Sequence, residues 1–293
     1  MPNIIGEEIP SYTIDQINRR QTIHGKGSNS SNQRSTEDLA FLNSQTSWVK
    51  LASGVSISED KLKAMGIVDT TLSGMGLAKK NVLYGGISSL TGDVKNQYLT
   101  PQSSNVNISG YEQTNAFGIV PKPGLENVSV KTLNRGSIKK SSIKLKVYNR
   151  EQFEIIDALY LRLGYTVLLE WGNNKYIDVN GEIQNVGGTL VEDNKRFFNS
   201  TFGKNRSYLD LLGPINYYRN KYRGNYDGFL GKISNFSWSF NEDGSYDIDL
   251  TVISLGDVIE SLKSNISITS NLVNLFKNSE AFKQTEEEES NQT

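Results

Sequence analysis

Between Phe236 and Val252 the chain alternates. Phe236, Trp238 and Phe240 are separated by Ser237 and Ser239, and Asn241-Glu-Asp-Gly244 then turns the chain. Tyr246, Ile248, Leu250 and Val252 follow, alternating with Asp247, Asp249 and Thr251. A period of two on both sides of a turn predicts a long antiparallel hairpin, aromatic inside and polar outside. An all-helical fold cannot accommodate it, so the search for a core begins from a sheet.

A second local unit precedes it. Val128 and Val130 alternate with polar residues, Asn134-Arg-Gly-Ser137 turns, and Ile143, Leu145 and Val147 alternate with Lys144, Lys146 and Tyr148. That is another hairpin, with a buried face and a lysine-bearing face. Asn149 is placed to cap a helix, with Gln152 at the third helical position completing a capping box. Phe153, Ile156, Leu159, Tyr160 and Leu163 form the helical stripe, and Gly164 stops it. Tyr165–Trp171 is a mostly apolar run of strand length, and Tyr176–Ile183 is a short hairpin turning at Asn180-Gly181. Residues 184–206 are polar and loop-like. Ser207–Arg223 is helical in character apart from Pro214, which suits an early helical position.

The first 120 residues differ. Residues 1–34 are poor in apolar groups and end in Gly25-Lys-Gly-Ser-Asn-Ser-Ser-Asn32, a composition expected to be mobile or to order only against a partner. A short helix capped by Ser35 or Thr36, an extended segment Trp48–Ile57 and a helix from Ser58 to Gly66 follow. Thr70–Gly118 shows little periodicity. The expected organisation is an extended N-terminal arm over 1–120 and a β domain over 121–265, with an insertion at about 184–227. A C-terminal helix and acidic tail or linker over 266–293 follow, with a closing helix near Gly256–Lys263. The fold class is α+β, mainly β: an antiparallel barrel or sandwich, tube-like, with flanking helices.

Composition narrows the chemistry. The 293 residues include no Cys and one His, which excludes thiolate metal sites, cysteine nucleophiles and multi-His metal centres. No apolar run approaches the roughly 18 residues of a membrane span, and no signal-peptide pattern opens the chain. Thirty Asn and 33 Ser favour turns and caps. The net charge of −1 is a sum of unlike parts. Residues 1–120 balance, 121–232 carry 18 Lys and Arg against 11 Asp and Glu, and 233–293 carry 3 against 11. Half of that last excess is the Glu286–Glu289 run.

Individual constellations are weak. Gly74-Met-Gly76-Leu-Ala-Lys79-Lys80 lacks the final residues of a phosphate loop. Asp178-Val-Asn180-Gly181-Glu182 begins like a calcium loop, but the twelfth position is Thr189 rather than an acid, and a hairpin turn accounts for it. Asp247 and Asp249 lie two residues apart on a strand, roughly 6–7 Å. That spacing suits a glycosidase pair, but both sit on a polar face with nothing to separate their acidities. His24 reads as an exposed side chain beside a linker. Tyr217, Tyr218, Arg219, Tyr222, Arg223 and Tyr226 read as a protein interface, Tyr and Arg being hot-spot residues. Trp48 is added to that interface. No cofactor and no catalytic residue is expected.

The order of basic strand Ser137–Asn149, helix to Gly164, strand Tyr165–Trp171, then Gly228-Phe-Leu-Gly-Lys-Ile-Ser-Asn-Phe-Ser-Trp-Ser-Phe and Gly244-Ser-Tyr-Asp-Ile-Asp-Leu-Thr-Val-Ile-Ser-Leu-Gly-Asp, resembles a known domain. It is similar to the tube-type β-barrel domain of tailed-bacteriophage hub and tail-tube proteins, including the baseplate hub of contractile tails. The likeness covers about residues 121–265 and one such domain, where hubs of that family often carry two. It implies a non-enzymatic virion tail protein, made in the host cytoplasm, that assembles as a trimer or hexamer ring. Tube, spike and tape-measure proteins would be its partners, and DNA would pass non-specifically through the ring. Asp247, Asp249, Ser237 and Ser239 are then the expected lumen-facing residues. Two other functions remain open: a host-glycan-binding tail module using the Tyr217–Tyr226 segment and the Trp238 hairpin, and a cell-wall hydrolase using Asp247 and Asp249.

Overall fold

The computed structural model describes residues 11–25, 34–43, 47–86, 111–114, 118–133, 138–192, 197–198 and 208–254. The fold is α+β, mainly β, and its centre is a curled seven-stranded antiparallel sheet. In chain order its strands are β1 (Ser47–Ser53), β2 (Leu83–Gly86), β5 (Gly124–Leu133), β6 (Ile138–Val147), β7 (Thr166–Asn173), β10 (Tyr226–Phe240) and β11 (Tyr246–Ser254). Their spatial order is β2-β1-β7-β10-β11-β6-β5. Two small two-stranded sheets accompany it, β3 (Tyr111–Thr114) with β4 (Gly118–Pro121), and β8 (Lys175–Ile177) with β9 (Ile183–Asn185).

Both hairpins take the register that alternation demands. Ile248 faces Leu145 and Leu250 faces Ile143 across β11 and β6, so the apolar residues share one face. Against that face lies the helix α5 (Arg150–Tyr160). Its capping box is complete: Gln152 N–H donates to Asn149 Oδ1 at 2.8 Å, and Tyr148 N–H donates to Gln152 Oε1 at 2.9 Å. Phe153 stacks on Tyr246 at 4.4 Å, and Ile156, Leu159 and Tyr160 are fully buried. The buried Tyr160 hydroxyl donates toward the carbonyls of Asn81 at 2.8 Å and Leu51 at 3.2 Å. Leu163, expected in the stripe, lies past the helix end and is exposed.

The curl comes from β10. It pairs with β7 over Tyr226–Lys232 and with β11 over Gly231–Phe240, changing neighbours along its length with an irregularity between Ile233 and Asn235. Gly231 stands at the changeover. A Cβ there would lie 2.5 Å from Val252 Cγ1, so the strands close up only over a glycine. The curl brings the two outermost strands together: a Cβ on Gly85 of β2 would lie 3.0 Å from Leu125 Cβ of β5.

Residues 47–86 correct the expected arm. β1 is flanked by β2 and β7 inside the sheet, and Trp48, Leu51, Ala52, Leu62, Leu77 and Leu83 belong to the same core as α5. Both faces of β1 are covered, so its sequence lacks alternation, and its main partner lies some 120 residues onward. Three short elements join β1 to β2: α3 (Glu59–Ala64), a 3-10 turn (Thr70–Leu72) and α4 (Gly76–Lys80). Nor do residues 11–25 await an outside partner. They form α1 (Ser11–Gly25), which docks on this chain where Gln16 Nε2 donates to the Arg223 carbonyl at 2.7 Å and Asp15 pairs with Arg223. α2 (Thr36–Asn43) begins as expected, with Asp38 N–H donating to Ser35 Oγ at 3.0 Å. A further helix among the described residues, α6 (Tyr208–Lys221), holds Pro214 in its interior rather than in its first turn. The expected linker from Lys26 to Asn32, the closing helix near Gly256 and the 266–293 tail lie outside the described residues. No helix among the described residues is long and apolar enough to cross a membrane.

Candidate functional site

Among the described residues, nothing covers the sheet face opposite α5 over β5, β6, β11 and the far half of β10. Cross-strand rows run Ser239–Asp247–Lys146 and Ser237–Asp249–Lys144. Both carboxylates form ion pairs at 3.9 Å, Asp249 with Lys144 and Asp247 with Lys146; Asp249 is exposed and Asp247 half-buried. Farther along, Lys131 faces Lys140, and Ile253 separates Lys140 from Lys232. The cross-strand rows of this face thus carry Lys131, Lys140, Lys144, Lys146 and Lys232 against Asp247 and Asp249. The four residues expected to line a lumen do share this surface. Their acidic character, however, is offset across the strands, and the surface as a whole is basic.

The expected tyrosine interface is mostly turned inward. Tyr218, Tyr222, Tyr226 and Trp48 are buried. Tyr218 lies 6.0 Å from Tyr222 and 5.6 Å from Tyr226, and Trp48 lies 6.2 Å from Tyr226. These rings form the packing between α6 and β1, β7 and β10, so they correct the reading of a surface hot spot. Arg219 pairs with Asp227 at 2.5 Å, and Lys139 reaches the same carboxylate at 3.3 Å. Burial of Asp227 opposes its ionised form, but the hydrogen bond from Arg219 and the charge of Lys139 outweigh it and hold the carboxyl below its ordinary range. Tyr217 alone of the four tyrosines is half-exposed.

One group of polar residues was not foreseen. Lys50 of β1 and Glu170 of β7 stand opposite in register, both buried. Lys50 Nζ pairs with Glu192 and donates to Thr189 Oγ1 at 3.1 Å. Thr189 Oγ1 in turn donates to Glu170 Oε1, while Tyr226 OH donates to Glu170 Oε2 at 2.9 Å. Thr189 N–H donates to Glu192 Oε2 at 3.0 Å, and Tyr222 OH donates to the Gly188 carbonyl at 2.5 Å. The Lys50 ammonium also lies 4.6 Å from the Trp48 ring centroid. Burial raises the Glu170 carboxyl above its ordinary range, against the opposing pull of Lys50, Thr189 and Tyr226. Burial raises the Tyr226 phenol likewise, with Glu170 adding to the effect. The signal in the sequence is a lone charge inside each apolar strand: Lys50 in Trp48–Ala52 and Glu170 in Val167–Trp171.

The remaining motifs are structural. Asp178 Oδ1 accepts from the N–H groups of Asn180 and Glu182 at 2.8 and 2.9 Å, which makes Asp178–Glu182 a turn. Gly74 and Gly76 bracket the start of α4, where Gly74 exchanges two 2.8 Å backbone bonds with Ile57. His24 lies in the last turn of α1, where its carbonyl accepts from Arg34 at 3.1 Å. At the tip of the long hairpin, Trp238 and Phe240 are 52% and 61% exposed beside the half-buried Phe153 and Tyr246. In comparisons with protein families, curated proteins and solved structures, nothing matches this chain.

Proposed function

We propose that this chain is a structural component of a phage virion tail, a baseplate hub or tail-tube-proximal assembly protein that forms a ring around the DNA channel. In this reading the curled sheet is one wall of a tube-like barrel domain and performs no catalysis. The observation that carries the reading is the asymmetry of the sheet. One face packs on α5, while the other, among the described residues, stays uncovered over four strands with charged rows crossing it. A monomer gains little from a broad uncovered sheet, whereas a ring subunit would present it to the channel. The lysine excess suits passing contact with a polyanion, and the two Asp–Lys pairs keep it weak. Other tail proteins, among them tube, spike and tape-measure components, would be the partners.

Mass photometry of the purified chain, alone and mixed with candidate tube and spike proteins, tests this. Trimers or hexamers, seen as rings in negative-stain images, are expected. A chain that stays monomeric in every mixture would refute the reading. The exposed Trp238 and Phe240 favour a second reading, a host-glycan-binding tail module, because aromatic faces stack on sugar rings. Binding on a glycan array that is lost in Trp238→Ala would favour it.

A further inference from the structure

The side chains of Lys50 and Glu192 are only 2% and 5% exposed, and Glu170 beside them is fully buried. As a plain ion pair this is a poor stabiliser, because desolvation of three ionisable groups opposes whatever their attraction contributes. We propose that the folded chain joins the two side chains covalently, as an amide between Lys50 Nζ and Glu192 Cδ.

The geometry supplies what that reaction needs. Lys50 Nζ is held in contact with the Glu192 carboxylate, and Glu192 is itself held by Thr189 N–H. Pairs fixed in this way reach effective molarities of about 10⁵–10⁸ M. Water, the product that would drive the reverse reaction, is excluded by Trp48, Tyr226, Val191 and the sheet. A second carboxyl is in relay: Lys50 Nζ donates to Thr189 Oγ1, and Thr189 Oγ1 donates to Glu170. Lys50 reaches Glu170 through that hydroxyl and Glu192 directly, so Glu192 is the acceptor.

In the low-dielectric site the ammonium first passes a proton to the Glu192 carboxylate, leaving a neutral amine beside a neutral acid. The amine lone pair attacks Cδ. The N–C bond forms, and the C–O bond to the acid hydroxyl breaks. Glu170, acting through Thr189 Oγ1, takes a proton from the nitrogen and returns one to the departing hydroxyl, which leaves as water. Nothing is oxidised or reduced, and no co-reactant enters. Burial holds the Glu170 carboxyl above its ordinary range, which suits it to pick up and release that proton. The product staples β1 to the segment after β9.

Intact-mass spectrometry of the full chain, purified folded and then denatured, tests the proposal, followed by tryptic mapping. The expected mass is lower than the sequence mass by one water, with a branched peptide linking Lys50 to Glu192 and no cleavage after Lys50. Glu170→Gln and Lys50→Arg should each restore the full mass of their own sequence. Where Glu170→Gln folds poorly, Lys50→Arg keeps the cation and serves instead. A wild-type chain at full sequence mass, cleaved by trypsin after Lys50, would overturn the proposal. So would a loss of water mapped to any other pair of residues.

Discussion

Asp247→Lys combined with Asp249→Lys tests whether the bare sheet face meets DNA. The face now sets five lysines against these two aspartates, and both aspartates pair with lysines at 3.9 Å. The double change releases Lys144 and Lys146 and adds two cations, giving four adjacent lysines where there were two ion pairs. Each new phosphate contact steepens the salt dependence of duplex binding by about 0.9 in log–log slope. Four contacts add about 3.6, or roughly a hundredfold greater loss of affinity between 50 and 200 mM salt. The cost in stability is smaller. Exposed pairs contribute about 0–1 kcal/mol each, and like charges placed opposite cost about 0.2–1 kcal/mol each. The fold and its assembly should therefore survive, which a thermal melt and mass photometry would establish. Duplex binding measured across a salt series is the assay, with genome ejection from particles carrying both changes as its functional counterpart. The expected result is a steeper slope and slowed ejection. An unchanged slope together with normal ejection would refute the assignment of this face to the channel.

Five further changes probe the frame around that face. Asn149→Ala removes the side chain that caps α5 and should cost about 1 kcal/mol in urea unfolding. Tyr218→Ala should cost about 3–5 kcal/mol as a core truncation, whereas Tyr217→Ala should stay within about 0.5 kcal/mol; similar values for the two would contradict their opposite burial. Gly231→Ala pushes a methyl group into Val252 and the Ile253 carbonyl, and should cost about 1–3 kcal/mol by the same measurement. The folded Asp227 carboxyl is depressed, so its contribution to stability is complete above the ordinary carboxylate value and lost as pH falls through the lower folded value. Asp227→Asn should flatten that part of the acid limb, read as urea midpoints across acidic pH.

What was legible in the sequence was local. The capping box at Asn149–Gln152 and the alternation on either side of Gly244 are written in neighbouring residues, and both stand in the fold, although Trp238 and Phe240, expected inside, are exposed. Other features depend on partners that a reading of neighbouring residues does not supply. β1 has no alternation because both its faces are covered, so Trp48–Ser53 looked like part of an arm until β7 was set beside it. Tyr218 and Tyr222 are four residues apart, the spacing of a buried helical stripe, yet the arginines among them suggested a surface. Those arginines are drawn to Asp227 and Asp15 of the same chain.

The buried cluster shows why such pairings escape a reading along the chain. Lys50 and Glu170 each look like an isolated fault in an apolar strand, since a lone buried charge is expensive. Only the β1–β7 register puts them opposite one another, and even then two groups do not complete the arrangement. Glu192 and Thr189 come from the polar stretch that follows β9, whose composition marks it as loop and conceals that Thr189 through Glu192 turn into the core, as do Val186, Phe197 and Phe198. A charge that a strand cannot place in solvent therefore implies a polar partner elsewhere in the chain. In this fold the partner is a loop laid over the sheet, and its two side chains join the buried pair into one hydrogen-bonded network.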